Sequence, residues 1–168
     1  MVIKFNYSEA RRKVQTPVRD LISKYKLPPP LVLGEDDSIE RLINALVRHR
    51  RECALVSDEA GRIVGIVTLF DLLKLFIDHP RTRIILRHPK FGPESEKSPL
   101  STIMSPNPVK VSMDMRLGEV LRVMLRYSIS HVVVTDSKTG KPVTVVSKNM
   151  ILSELLGTEV IRGIVSTL

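Results

Sequence analysis

Thr68 and Asp71 stand three residues apart in the stretch Gly65-Ile66-Val67-Thr68-Leu69-Phe70-Asp71. The β-branched Ile66 and Val67 read as the end of a buried strand. Thr68 suits the start of a helix, and Asp71 falls in its first turn, where a carboxylate meets the positive end of the dipole. A hydroxyl and a carboxylate at that spacing share one face. Together they could hold a vicinal diol such as that of a ribose. The same pair also reads as an ordinary helix cap, and within this stretch the two readings stand side by side. Leu72, Leu73, Leu75 and Phe76 then predict an apolar helix face. A related stretch, Thr144-Val145-Val146-Ser147-Lys148-Asn149-Met150, keeps the hydroxyl at Ser147 but has Met150 in place of the acid. A thioether is a poor acceptor for sugar hydroxyls. Two unequal sites are therefore expected, the one at Asp71 occupied and the one at Met150 weak, empty or altered.

The elements that must position these residues occur twice. After the helix-stopping Pro28-Pro29-Pro30, Leu31 to Leu33 reads as an extended entry. Ile39, Leu42, Ile43, Leu46 and Val47 then recur at helical spacing behind the cap candidates Asp36, Asp37 and Ser38. Ala54 to Val56 and Ile63 to Val67 predict two strands joined by a turn at Asp58 to Gly61. The pattern restarts with Pro106, Pro108 and Val109 to Val111, a helix on Leu117, Val120, Leu121, Met124 and Leu125, and strands at Val132 to Val134 and Val143 to Val146. A shift of 78 residues carries Pro30 onto Pro108, Leu42 onto Val120 and Asp58 onto Asp136. Beyond the turn the shift is 79, carrying Gly61 onto Gly140. The fold class is therefore α/β (α+β): two pseudo-twofold-related repeats, each roughly β-α-β-β-α. Their boundaries fall at a basic N-terminal segment 1–15, repeat 16–79, linker 80–98, repeat 99–157 and a terminal helix 158–168. Short periodic pieces open each repeat, with Val18, Leu21 and Ile22 in one and Leu100, Ile103 and Met104 in the other. Neither repeat alone buries much apolar surface, so the two are expected to pack face to face.

Composition narrows the function. The chain has 168 residues, 43% hydrophobic, with no apolar run long enough to span a membrane and no signal-peptide core at residues 1–16. A soluble, cytoplasmic protein is expected. Cys53 is the single cysteine, which excludes an internal disulfide and a cysteine metal cage. His49 and Cys53, four apart, are too few ligands for zinc. A single Gln, no Trp and 26% charged residues lean toward a heat-adapted source. Thr139-Gly140-Lys141 fails as a phosphate loop, because Pro142 stands where a Ser or Thr is needed. No nucleophile elbow or catalytic triad can be picked out. Glu35, Asp36 and Asp37 suit a solvated helix start. The net charge of +8 is clustered at Arg11-Arg12-Lys13, Arg48-His49-Arg50-Arg51 and Arg81 to Lys90, which favours anionic partners.

The duplicated order of elements, Val18-Arg19-Asp20-Leu21-Ile22 leading to Pro30, Pro106 to Val111, and above all Gly65 to Asp71 resemble a tandem pair of CBS (cystathionine-β-synthase type) domains, the Bateman module. The heptad resembles the family's Gly-apolar-apolar-Thr-x-x-Asp signature. The resemblance covers roughly residues 16–157. It implies a non-catalytic regulatory module holding an adenosine ligand (AMP, ADP, ATP or S-adenosylmethionine) between the repeats, as an energy or metabolite sensor. No metal or other cofactor is implied. On this chain Asp71 would take the ribose with Thr68 in support and Ile66 beside the base. Val109 would line the adenine. Ser130 and His131 would lie near the phosphates, with Lys148 and Asn149 able to point toward them. A homodimer of such modules and a regulated partner protein are expected. Two rivals remain: nucleic-acid binding through the basic clusters, against which 4% aromatics leave few stacking platforms, and a scaffold that binds no ligand.

Overall fold

The computed structural model describes residues 6–76 and 95–157. The expected terminal helix 158–168, most of the linker 80–98 and the basic run 81–90 lie outside them. The described chain divides into two compact units. One runs from Pro30 to Pro108. The other joins the chain up to Pro29 to the chain from Val109.

Helix α1 (Tyr7–Lys13) is capped by Asn6, whose side chain accepts the Glu9 N–H at 3.1 Å. Glu9 lies in its first turn and Arg11, Arg12 and Lys13 in its last, so both ends match the helix dipole. Helix α2 (Val18–Tyr25) buries Val18 and Leu21 and closes on Lys26 in a left-handed conformation, just before the three prolines. Strand β1 (Val32–Gly34) leads to α3 (Ile39–His49). Ser38 caps α3 by accepting the Arg41 N–H at 3.1 Å. Asp37 accepts the Gly34 N–H at 2.8 Å and pairs with Arg41, so this acidic cluster builds a turn and a helix start. Strands β2 (Cys53–Ser57) and β3 (Ile63–Thr68) follow, joined by a turn in which Asp58 holds Arg62. Helix α4 (Leu69–Leu72) is a single turn that tightens into a 3₁₀ turn at Leu73–Leu75.

Beyond the undescribed segment come 3₁₀ turns at Ser95–Lys97 and Leu100–Thr102 and strand β4 (Ser105–Pro106). Then β5 (Lys110–Ser112), α5 (Leu117–Tyr127), β6 (His131–Thr135), β7 (Pro142–Ser147) and α6 (Lys148–Leu156) repeat the β-α-β-β-α order. The β6–β7 turn is held by Asp136, which accepts from the N–H groups of Lys138 and Thr139, with Gly140 at φ +69°. Thr139 to Lys141 is thus a hairpin turn and no phosphate loop.

Each unit has one sheet. In the unit 30–108 the order is β1-β2-β3-β4, with β1 parallel to β2 and the other pairs antiparallel. In the other unit the order is β5-β6-β7, again one parallel and one antiparallel pair. The repeats and the compact units divide the chain differently. Val18 and Leu21 share a core with Val111, Val120, Val134 and Ile151 of the second repeat. Leu100 and Ile103 share one with Leu33, Leu42, Val56 and Val67 of the first. The two joints match: Val18 N–H donates to Met115 and Arg19 N–H to Met113, while Leu100 N–H donates to Asp37 and Ser101 N–H to Glu35. The short periodic piece that opens each repeat therefore completes the core of the other.

The apolar stripes read from the sequence are wider than the faces actually buried. Ile39, Leu42 and Leu46 of α3 are buried, but Ile43 and Val47 are exposed, Val47 by 74%. In α5, Leu117, Val120 and Met124 are buried while Leu125 is 80% exposed. The helix after Thr68 is also split. Leu72 and Leu75 pack on the core, whereas Leu73 and Phe76 face out, Phe76 by 80%.

Candidate functional site

The site residues on the first repeat meet where β3 runs into α4. Gly65 has no side chain, and an added Cβ would lie 2.3 Å from the Met104 Sδ. That opening lets β4 pair with β3, setting Pro106 opposite Gly65 and Ser105 opposite Ile66. Ile66 is buried mid-sheet between Leu55 and Ser105. Thr68 then takes extended backbone dihedrals and Asp71 sits at the third helical position.

Asp71 is 4% exposed, and its two oxygens have different company. Oδ2 accepts the Thr68 N–H at 2.8 Å and the Thr68 hydroxyl at 2.9 Å. This ties the helix start to the strand end, as an N-terminal capping carboxylate does. Oδ1 accepts the Lys74 ammonium at 2.6 Å and the Ser105 hydroxyl at 3.1 Å. Lys74 Nζ also donates to the Ile103 carbonyl at 2.8 Å. The roughly four acceptor positions of a carboxylate are therefore all filled from within the protein. The diol-holding and helix-capping readings of Thr68 and Asp71 are compatible only if they divide the carboxylate, because the cap is formed. With Asp71 5% and Lys74 25% exposed at the side chain, this is a largely buried ion pair. Removing one partner of such a pair costs about 3–5 kcal/mol.

Lys74 and Ser105 are absent from the sequence-derived site. Lys74 had a readable signal, since it stands three residues after Asp71 where a helix brings charges together. Ser105 had none: it lies 34 residues away in sequence and arrives only through the two-residue strand β4.

The remaining site residues lie in the other unit. Ser130, His131 and Asn149 gather at the corresponding β7–α6 junction. Half-buried His131 opens β6 directly opposite Ser147. Exposed Ser130 accepts the Lys148 N–H on its carbonyl at 2.8 Å. Asn149 is in the first turn of α6. Val109 lies just ahead of β5, alongside the start of β6, with its carbonyl accepting the Val133 N–H at 3.0 Å. Ser147 is buried and caps α6, accepting the Met150 N–H at 3.3 Å. Half-buried Met150 packs on the core, so this junction carries a thioether where the first carries a carboxylate.

In the first repeat the place of His131 is taken by Cys53, opposite Thr68. Burial pushes its thiol up to about 11. His49 ends α3 while Cys53 begins β2, so the two do not share a helix face. Among the described residues, no group of three or more His, Cys, Asp or Glu could hold a metal ion. Arg48 and His49 complement the C-terminal dipole of α3, as Arg11 to Lys13 do for α1. No helix among the described residues is long and apolar enough to cross a membrane.

A duplicated β-α-β-β-α unit with Gly65 to Asp71 at a strand-to-helix junction is matched by the family model described as CBS domain, at residues 18–78 and again at 100–157. The chain belongs to the CBS domain family. It is a tandem CBS pair. The CBS domain of a CBS domain containing membrane protein from Sphaerobacter thermophilus superposes with a TM-score of 0.65 at 26% identity, covering 87% of this chain and 91% of that one. A CBS domain pair crystallised in complex with 5′-methylthioadenosine and S-adenosyl-L-methionine superposes with a TM-score of 0.63 at 26% identity, covering 86% and 98%. The L-aspartate semialdehyde sulfurtransferase of Methanocaldococcus jannaschii is 27% identical over 121 residues, or 72% of this chain. The CBS pair spans only 20% of that relative's length.

Proposed function

We propose that this chain is a non-catalytic regulatory module that binds an adenosine ligand, with Asp71 receiving the ribose hydroxyls and Thr68 fixing the carboxylate. The observation that carries the reading is the buried Asp71 carboxylate at the β3–α4 junction of a CBS repeat. A carboxylate out of water is a strong acceptor for hydroxyl donors. The bound 5′-methylthioadenosine and S-adenosyl-L-methionine of the 26% identical CBS pair support the ligand class. Ile66, Val109, Ser130, His131 and Asn149 belong to the same reading as base- and phosphate-side residues. Met150 makes the second junction the weaker one. Ligand binding would favour one conformation over another, and a partner protein would respond to the shift. Pairing with a second copy is part of the reading, supported by the apolar side chains that α3 and α5 leave bare at Ile43, Val47 and Leu125.

Calorimetric titration with AMP, ADP, ATP, S-adenosylmethionine and 5′-methylthioadenosine tests the reading. At least one should bind with a single strong site per chain. Asp71→Asn, checked for native fold by circular dichroism, should weaken that site by on the order of tenfold or more, the loss of a charge-assisted hydrogen bond. Absence of binding by all five compounds, or unchanged affinity in Asp71→Asn, would sink it.

A further inference from the structure

We propose that Lys74 is a specificity-determining residue: it holds the ribose position on Asp71 when no ligand is bound, and makes the site require a full 2′,3′-diol. The proposal rests on the adenosine-ligand reading. Its basis is the unequal use of the two Asp71 oxygens. Oδ2 is committed to the backbone and hydroxyl of Thr68 and cannot be released without opening the start of α4. Oδ1 faces groups that can leave. Ser105 is exposed, and the Lys74 side chain is one quarter exposed on a flexible stem. A ligand entering here must take over Oδ1.

Counting donors decides what such a ligand looks like. Oδ1 accepts from two donors, the Lys74 ammonium and the Ser105 hydroxyl. A ribose diol supplies two hydroxyls, so the exchange leaves neither Oδ1 position of Asp71 empty. A deoxyribose supplies one: it either leaves the second position unfilled, at the cost that an unmet buried acceptor carries, or must share Oδ1 with the ammonium that holds the ribose position. The displaced ammonium keeps access to water, because its stem already reaches the surface.

The second repeat supplies an internal comparison. The 79-residue shift that carries Asp71 onto Met150 carries Lys74 onto Ser153. The carboxylate and its cation are present together in one repeat and missing together from the other. A surface-solubilising lysine has no reason to track a buried acid in this way, whereas a lysine that balances the Asp71 carboxylate does.

The test compares adenosine with 2′-deoxyadenosine by calorimetry on wild type and Lys74→Met, which keeps the stem and removes the cation. Wild type should prefer adenosine by on the order of tenfold. In Lys74→Met both compounds should bind more tightly, and the preference should shrink several-fold, because one position on Oδ1 is now open to a single hydroxyl. Ser105→Ala leaves the ion pair intact and frees the other position, so it should move both quantities in the same direction by less. It decides the matter if Lys74→Met fails to fold by circular dichroism. Wild-type binding with equal or weaker affinity in the folded variants, or an unchanged ratio, would overturn this proposal alone. No binding of either compound by any of the three proteins would overturn it together with the functional reading beneath it.

Discussion

Cys53 faces Thr68 across the β2–β3 pair, one residue's breadth from the candidate site, yet it is chemically quiet. The thiolate is the reactive form, and burial lifts the thiol from 9.0 to about 11. At pH 8 the folded protein should therefore hold about 100-fold less thiolate than a cysteine whose thiol kept its ordinary value. Reaction with a disulfide reagent should be slow in the native state, should accelerate as pH rises toward 11, and should become fast at pH 8 in denaturant. Rapid native labelling at pH 8 would show that the strand end opens freely. The residue types alone could not reveal this, since a cysteine four places after a histidine fits a helix face as well as a helix end followed by a strand. Asp71 was more legible. Its carboxylate, its place in the first helical turn and its Thr68 partner were all readable from the spacing. The filling of its second oxygen was not, because Ser105 arrives from a distant strand.

At the scale of elements, the strand-helix-strand-strand-helix order was readable because each piece carries its own signal. Ser38 and the i, i+3, i+4 apolar series announce α3, and Asp58 with Gly61 announces the β2–β3 turn. What periodicity could not separate was apolar stripe from buried face, as exposed Val47 and Leu125 show. It also could not foresee β4, whose two residues include a proline. That strand depends on Gly65. A methyl group there would meet not only the mobile Met104 Sδ at 2.3 Å but its Cβ at 3.2 Å, which is fixed to the backbone leading into β4. The sulfur can swing away; the Cβ moves only if the chain does. Gly65→Ala should accordingly cost about 1–3 kcal/mol in urea denaturation, the usual range for overpacking a filled core. It should also loosen the Ser105 contact with Asp71. A variant as stable as wild type would mean that β4 is not held by close approach to β3.

For the whole molecule, the decisive feature is that sequence repeat and compact unit do not coincide. The internal shift of 78 and 79 residues marks where the pattern restarts, and a repeat boundary is naturally placed there. Packing follows a different rule: a short amphipathic piece goes wherever an apolar face is uncovered, and nothing in Val18, Leu21, Leu100 or Ile103 says which sheet that is. The structure sends each to the core built by the other repeat. This has a measurable consequence for fragments. A polypeptide of residues 16–79 contains one full sequence repeat but lacks Leu100 and Ile103, both buried in its unit. Each such side chain contributes about 1.5–3 kcal/mol on burial. Their joint loss is comparable with the whole stability of a small domain. The same fragment also keeps Val18 and Leu21, whose core it does not possess. A polypeptide of residues 30–108 has the opposite balance, with its sheet, α3 and the Leu100–Thr102 turn all present. By circular dichroism, 30–108 should show a cooperative thermal transition, and 16–79 should remain largely unfolded or melt without cooperativity. If 16–79 instead folded as well as 30–108, the exchanged pieces would be ornaments on self-sufficient repeats.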